Sequence, residues 1–233
     1  QYFPENVRLN KNGYQDIDQL MEKGKIPLSP SKFEYIAKQS GAVILDVRSA
    51  DEFSKVHIPN SIFIGIDGGF APWVGTLIGD TKHPIILVTP EGREEETITR
   101  LSRVGFDNTL GYLEGGITAW TGAGKNIEQI ENITATQLQT KIEKGAALFD
   151  VRKESEYDSV HIPNATVIPL DKINESLNQH DFEKEFYLHC AGGYRSMIAL
   201  SILKNRGIHR GVNVLGGMNA IQEAEIPLQK SSC

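Results

Sequence analysis

The stretch Phe186-Tyr187-Leu188-His189-Cys190-Ala191-Gly192-Gly193-Tyr194-Arg195-Ser196 changes character twice in a short span. The apolar run Phe186 to Leu188 reads as a buried strand. It stops at the only interior cysteine of the chain, and two glycines, an arginine and a serine follow. From Arg195 to Asn205 the pattern is helical, with its apolar part between Met197 and Leu203. This is strand, tight loop, helix, with a thiol at the first loop position. Such a loop can aim several backbone N–H groups at one point, and the positive end of the helix adds to their field. A thiol held there is expected to ionise more easily than a free one, because the thiolate is the stabilised form. The expected chemistry is that of a nucleophilic cysteine that binds or carries an anion. The plainer reading, an inert core cysteine, fits poorly with the glycines, Arg195 and the helix start.

The chain is a repeat. Val43-Ile44-Leu45-Asp46-Val47-Arg48 recurs as Ala147-Leu148-Phe149-Asp150-Val151-Arg152, and His57-Ile58-Pro59-Asn60 recurs as His161-Ile162-Pro163-Asn164. The offset is the same for both pairs, 150 − 46 = 104 and 161 − 57 = 104. Further on, Leu113-Glu114-Gly115-Gly116-Ile117 answers Val214-Leu215-Gly216-Gly217-Met218 at an offset of 216 − 115 = 101. A period this long is too long for a solenoid and indicates a duplicated domain. Each copy alternates helical and strand patterns, so each is expected to be an α/β domain, a mostly parallel sheet flanked by helices. Copy one has a helix after Ser29-Pro30 ending at Gly41, strands at Val43 to Leu45 and Ile85 to Val88, and a helix from Glu94 to Arg103. In copy two, Thr134 caps a helix that Gly145 ends, and strands follow at Ala147 to Phe149 and Phe186 to Leu188. The expected division is an N-terminal extension or linker over 1–27, a first domain over 28–126 and a second over 127–233. Weak helical signal falls at Asp16 to Lys23.

The two copies differ at the loop. Thr89 stands opposite Cys190 (190 − 89 = 101), within Thr89-Pro90-Glu91-Gly92-Arg93-Glu94-Glu95-Glu96. Threonine has no low-pKa sulfur, and four glutamates against one arginine would repel an anion. Copy one is therefore expected to be inactive, a structural or docking partner. Glu94 to Glu96 read most simply as a solvated first helical turn.

Composition narrows the classes. A chain of 233 residues with net charge −6 and no basic block argues against nucleic acid or an anionic membrane as partner. The longest apolar runs are too short to span a bilayer. Two cysteines, Cys190 and the terminal Cys233, make no disulfide framework, so a reducing compartment, the cytoplasm, is expected. Cys233 reads as a tail thiol without a role. No Cys/His cluster has metal-ligand spacing, and no metal or cofactor is expected.

Asp-Val-Arg followed by His-Ile-Pro-Asn in both copies, the cysteine loop of copy two and the Gly-Gly motif near the end of each copy resemble the rhodanese family of sulfurtransferases. The resemblance covers nearly all of residues 28 to 228, as two rhodanese-like domains in tandem. It implies a cysteine, by position Cys190, that takes sulfane sulfur as a persulfide and passes it to a thiol or cyanide. The loop Ala191, Gly192, Gly193, Tyr194, Arg195 and Ser196 would surround the substrate. The opening Tyr2-Phe3-Pro4-Glu5-Asn6-Val7 and copy one are similar to the region downstream of the metallo-β-lactamase-fold domain in persulfide dioxygenase–rhodanese fusions, which implies a fused or associated persulfide dioxygenase as partner. One departure matters. Thiosulfate-using members carry a second basic residue shortly after the Asp-x-Arg motif, where this chain has Glu156. A small-thiol persulfide such as glutathione persulfide is then a better expected donor than thiosulfate.

Individual residues carry alternatives. Gly192 and Gly193 permit the positive φ of an inward-curling loop. Arg195 either binds a donor's anionic group or ties the loop to Asp150. Ser196 either poises the thiolate or caps the helix. Asp150 and Arg152 lie at the sheet edge where α/β ligand sites form. They recur in the inactive copy as Asp46 and Arg48, so support of the structure is their more natural role, as it is for His57 and His161. His189 is expected to face away from the loop. Two rival functions remain. One is a persulfide carrier or sensing module. The other is a cysteine phosphatase or arsenate reductase, which needs five residues between Cys and Arg where this loop has only Ala191 to Tyr194.

Overall fold

The computed structural model describes residues 24–177 and 179–231. The helical signal at Asp16 to Lys23, the opening hexapeptide and Cys233 lie outside them. The described residues fall into two compact units that divide between Glu128 and Gln129.

Unit one holds five strands, β1 (Pro27–Leu28), β2 (Val43–Asp46), β3 (Ile62–Phe63), β4 (Ile85–Val88) and β5 (Thr109–Leu113). They form one sheet in the order β1-β5-β4-β2-β3, and every pairing is parallel. The helices are α1 (Pro30–Ser40), α2 (Ala50–Lys55), α3 (Phe70–Ile78), α4 (Glu94–Ser102) and α5 (Gly116–Gly122). Unit two repeats the plan with β6 (Asn132–Ile133), α6 (Ala135–Glu143), β7 (Ala147–Asp150), α7 (Glu154–Ser159) and β8 (Thr166–Val167). A 3-10 turn (Leu170–Lys172), α8 (Ile173–Ser176), β9 (Phe186–His189), α9 (Tyr194–Asn205), β10 (Gly211–Val214) and α10 (Gly217–Glu223) complete it. Its parallel order is β6-β10-β9-β7-β8. The β1 strand reaches one residue ahead of the expected domain start at 28.

Both sheets place the loop-bearing strand, β4 or β9, at the centre, and all four residues of each are buried. A strand covered on both faces must be apolar throughout, which explains Ile85-Ile86-Leu87-Val88 and Phe186-Tyr187-Leu188. Pro30 opens α1, Gly41 ends it in the left-handed conformation, and Thr134 and Gln137 form a capping box on α6. From Ser196 to Leu203 α9 is buried throughout, and it packs on β9 and β10. The loop between β9 and α9 is thereby fixed by the core at both ends.

The recurring motifs have one structural logic in both units. Asn60 and Asn164 both sit at φ 64, a left-handed position that asparagine tolerates better than most residues. His57 Nδ1 lies 2.8 Å from Phe53 O, and His161 Nδ1 lies 2.8 Å from Tyr157 O. Each imidazole stacks on the ring of the same partner. Arg48 and Arg152 each fork onto the neighbouring aspartate, with Nη2 2.6 Å from Asp46 Oδ2 and 2.6 Å from Asp150 Oδ2. Each also donates to a carbonyl, Val56 O or Val160 O. These pairs are buried, so loss of either partner would strand a charge in the core. Burial, outweighing the guanidinium, pushes the Asp46 carboxyl up.

Candidate functional site

Cys190 follows the last residue of β9, and its sulfur turns into the loop that opens α9. The Gly193 N–H donates to Cys190 Sγ at 3.1 Å. Gly193 holds φ 102, the curl that aims this amide at the sulfur and that a side chain would strain. Ser196 Oγ lies 3.6 Å from the same sulfur, 3.1 Å from Gly193 O and 2.8 Å from Asn213 Oδ1. Cys190 is only 1% exposed. A cysteine this buried can be an inert filler, but here an amide and a hydroxyl stand against the sulfur. The helix begins at Tyr194, one residue earlier than its expected start at Arg195, and Ser196 lies inside its first turn without capping it. Gly192 is exposed at the loop's outer edge, and Ala191, Tyr194 and Arg195 are partly exposed.

The loop's own carbonyls are held from α10. Met218 N donates to Cys190 O at 2.7 Å, and Asn219 N donates to Ala191 O at 3.1 Å. This contact needs Gly217, at φ 54, because a Cβ there would come within 2.4 Å of Cys190 O and 2.9 Å of Ala191 C and O. The Gly-Gly motif was visible in the sequence. Its grip on the cysteine loop was not.

Arg195 does not tie the loop to Asp150. Asp150 is taken by Arg152, and Arg195 instead forks onto Glu156 of α7, Nη1 to Oε2 at 2.6 Å and Nη2 to Oε1 at 2.8 Å. Arg195 holds the Glu156 carboxyl down to about 2, and Glu156 in turn raises the guanidinium. The pair is partly exposed, 19% for Arg195 and 33% for Glu156. The charge beside the loop is thus cancelled, +1 against −1. His189 Nδ1 lies 3.3 Å from Cys190 O, and its Nε2 is 3.8 Å from Asp150 Oδ2. Burial lowers its pKa and favours the neutral ring.

Copy one keeps the loop shape without the thiol. Gly92 has φ 78 where Gly193 has φ 102. Thr89 Oγ1 and Gly92 N both donate to Glu94 Oε1 at 3.2 Å. The first glutamate of the triplet is therefore no bystander on a solvated turn. It folds back, and its carboxylate takes the amide that in copy two faces sulfur. Glu95 pairs with Lys25, and Glu96 pairs with Arg93 and Arg100.

Among the described residues no group of three or more His, Cys, Asp or Glu could hold a metal ion, and no helix is long and apolar enough to cross a membrane. The polar residues missed by sequence reasoning are Asn213 and Asn132. Asn213 Nδ2 donates to Asn132 Oδ1 at 2.8 Å across paired strands.

Comparison with known proteins shows the family. The model of the family described as "Rhodanese-like domain" matches residues 29–123 and 134–224. The chain is similar to the putative sulfurtransferase YtwF of Bacillus subtilis, 36% identical over 94 residues, which is 40% of this chain and 90% of that protein. It is also similar to the putative sulfur carrier protein YrkF of the same organism, 31% identical over 98 residues, 41% of this chain and 53% of that protein. The chain spans about half or less of the length of several curated relatives that it matches. Among solved structures, the rhodanese-like domain protein from Staphylococcus aureus is 35% identical with TM-score 0.41, covering 44% of this chain and 100% of that one. With one Asp-Val-Arg, one loop and one Gly-Gly grip in each of two matched units, the chain belongs to the rhodanese-like domain family twice over, in tandem.

Proposed function

We propose that this chain is a sulfurtransferase that moves sulfane sulfur through a persulfide on Cys190. The Cys190 thiolate attacks the outer sulfur of the donor. A new S–S bond forms, the donor's S–S bond breaks, and its electron pair leaves on sulfite or on a thiolate. A thiol or cyanide then attacks the outer sulfur of the Cys190 persulfide and returns the thiolate. The observation that carries this reading is the Gly193 N–H on Cys190 Sγ at 3.1 Å. A donor fixed in place before reaction stabilises charge on sulfur without reorganising. Unit one lacks this contact because Thr89 replaces the cysteine and Glu94 takes the amide. Asp150 and Arg152 support the site as a buried pair beside β9.

Donor choice follows from charge. Arg195 already holds a carboxylate by two of its N–H groups, so a compact dianion meets a cancelled charge. A persulfide of a small thiol such as glutathione, with one charge at its reacting end, suits this loop better than thiosulfate. A persulfide dioxygenase, fused or associated, would be a fitting partner for such a donor. The phosphatase reading is weaker, because the arginine that would grip a phosphoryl group is engaged and the loop is one residue short.

Steady-state assays with thiosulfate and glutathione persulfide, each with cyanide or a thiol acceptor, test the proposal. Multiple turnover lost in Cys190→Ser supports it. Sulfur uptake without turnover would make the chain a carrier. Robust hydrolysis of an aryl phosphate would overturn it.

A further inference from the structure

Unit two carries a buried polar chain with no counterpart among the described residues of unit one. Ser196 is fully buried and Asn213 is 2% exposed. The amide of Asn213 is oriented by its neighbour: its nitrogen donates to Asn132 Oδ1, so its oxygen faces the Ser196 hydroxyl at 2.8 Å. Ser196 Oγ in turn stands 3.6 Å from Cys190 Sγ. The register of the sheets shows what replaces this chain where the thiol is absent. Asn213 pairs with Asn132 across β10 and β6, and the matching pair in unit one is Tyr112 with Pro27 across β5 and β1. The position of Ser196 is held by Glu95 (196 − 101 = 95). A serine followed by two cross-strand asparagines thus accompanies the cysteine, and all three are gone with it. Polar groups buried in a sheet are costly unless fully bonded, so nothing in the fold itself calls for them.

We propose that Asn213 is a positioning residue for sulfur transfer, acting through Ser196 on Cys190. This rests on the reading of Cys190 as the sulfur-carrying residue. The Ser196 hydroxyl has one proton and three acceptors within reach, Asn213 Oδ1, Gly193 O and Cys190 Sγ. The Ser196 hydroxyl donates to Asn213 Oδ1, and this bond holds the hydroxyl oxygen against the sulfur. The sulfur is then confined beneath the Gly193 N–H, in the orientation that meets a donor. Without Asn213 the hydroxyl proton turns to Gly193 O or to the sulfur, and the oxygen is no longer held in one place against the sulfur.

The test is the rate of single-sulfur uptake on Cys190 from glutathione persulfide, followed by intact mass, with kcat and KM in the steady state. Asn213→Leu, close in volume, is expected to lower uptake and kcat about tenfold with donor KM little changed, since misplaced reacting groups cost rate more than binding. Ser196→Ala is expected to lose a similar factor, and the double variant no more than either single one, because residues acting as a unit are non-additive. Should Asn213→Leu fail to fold, Asn132→Ala on the half-buried edge strand removes the orienting contact and is expected to give a smaller loss of the same kind. Unchanged uptake, a loss confined to KM, or losses that multiply in the double variant would overturn the inference. A wild-type chain that takes up no sulfur would instead overturn the sulfurtransferase reading, and this inference with it.

Discussion

Gly116 and Gly217 occupy the same place in the two units, and a matched pair of alanine substitutions separates backbone strain from damage to the loop. Both glycines are left-handed, at φ 56 and φ 54. Each Gly→Ala change therefore costs about 1 kcal/mol for the conformation alone. The surroundings differ. A Cβ on Gly116 meets only Thr89 O at 3.9 Å, an ordinary contact. A Cβ on Gly217 meets Cys190 O at 2.4 Å, and the atoms in its way are backbone. Restoring an ordinary separation moves α10 and the Cys190 loop apart by about 1 Å. The bonds from Met218 N to Cys190 O and from Asn219 N to Ala191 O are then stretched, at about 1 kcal/mol each. Gly217→Ala should destabilise its unit by about 3 kcal/mol against about 1 for Gly116→Ala. A displacement of this size at a reacting atom costs about 100-fold in rate. The assay is sulfur transfer from glutathione persulfide, run well below the melting temperature of both variants, with melting curves alongside. Equal activity in the two variants would refute the claim that α10 holds the cysteine loop.

The remaining predictions concern charge. Glu156→Gln releases Arg195, so kcat/KM for thiosulfate should rise several-fold at low salt while a singly charged thiosulfonate changes little; an unchanged ratio between the two donors would contradict the assignment of donor preference to this pair. Because Arg195 holds the Glu156 carboxyl at about 2, below the 4.5 of an unperturbed glutamate, the ion pair stabilises the folded state above that ordinary value. Its contribution fades as pH falls from 4.5 towards about 2. After solvent screening of a partly exposed pair this amounts to no more than about 1 kcal/mol, seen as a shallower acid limb in Glu156→Gln. Arg152→Ala leaves Asp150 buried without its partner and should cost about 3–5 kcal/mol, as Arg48→Ala should in the other unit; a melting temperature unchanged in both would remove the structural role given to these pairs.

The sequence made the larger architecture legible because its signals are local or repeated. Central strands β4 and β9 are short apolar runs, Thr134 and Gly145 bound their helix, and the two offsets expose the duplication. The edge strands β1, β3, β6 and β8 were missed because two residues carry no periodicity. The cysteine loop could be placed from its glycines. Its partners could not, since Glu156 reaches Arg195 over 39 residues and Asn132 reaches Asn213 over 81. Only the folded sheet brings these together. Copy one taught a similar lesson: Thr89 showed that the thiol was gone, but the return of Glu94 to the Gly92 amide depends on a loop curl that composition does not encode.

Sulfur uptake at one atom, Cys190 Sγ, is the step on which the proposed activity depends. Intact mass after exposure to glutathione persulfide should show wild-type chain heavier by one sulfur atom, the added mass removed by excess thiol, and Cys190→Ser unchanged. An adduct of the same extent on Cys190→Ser, or none on the wild type, would contradict it.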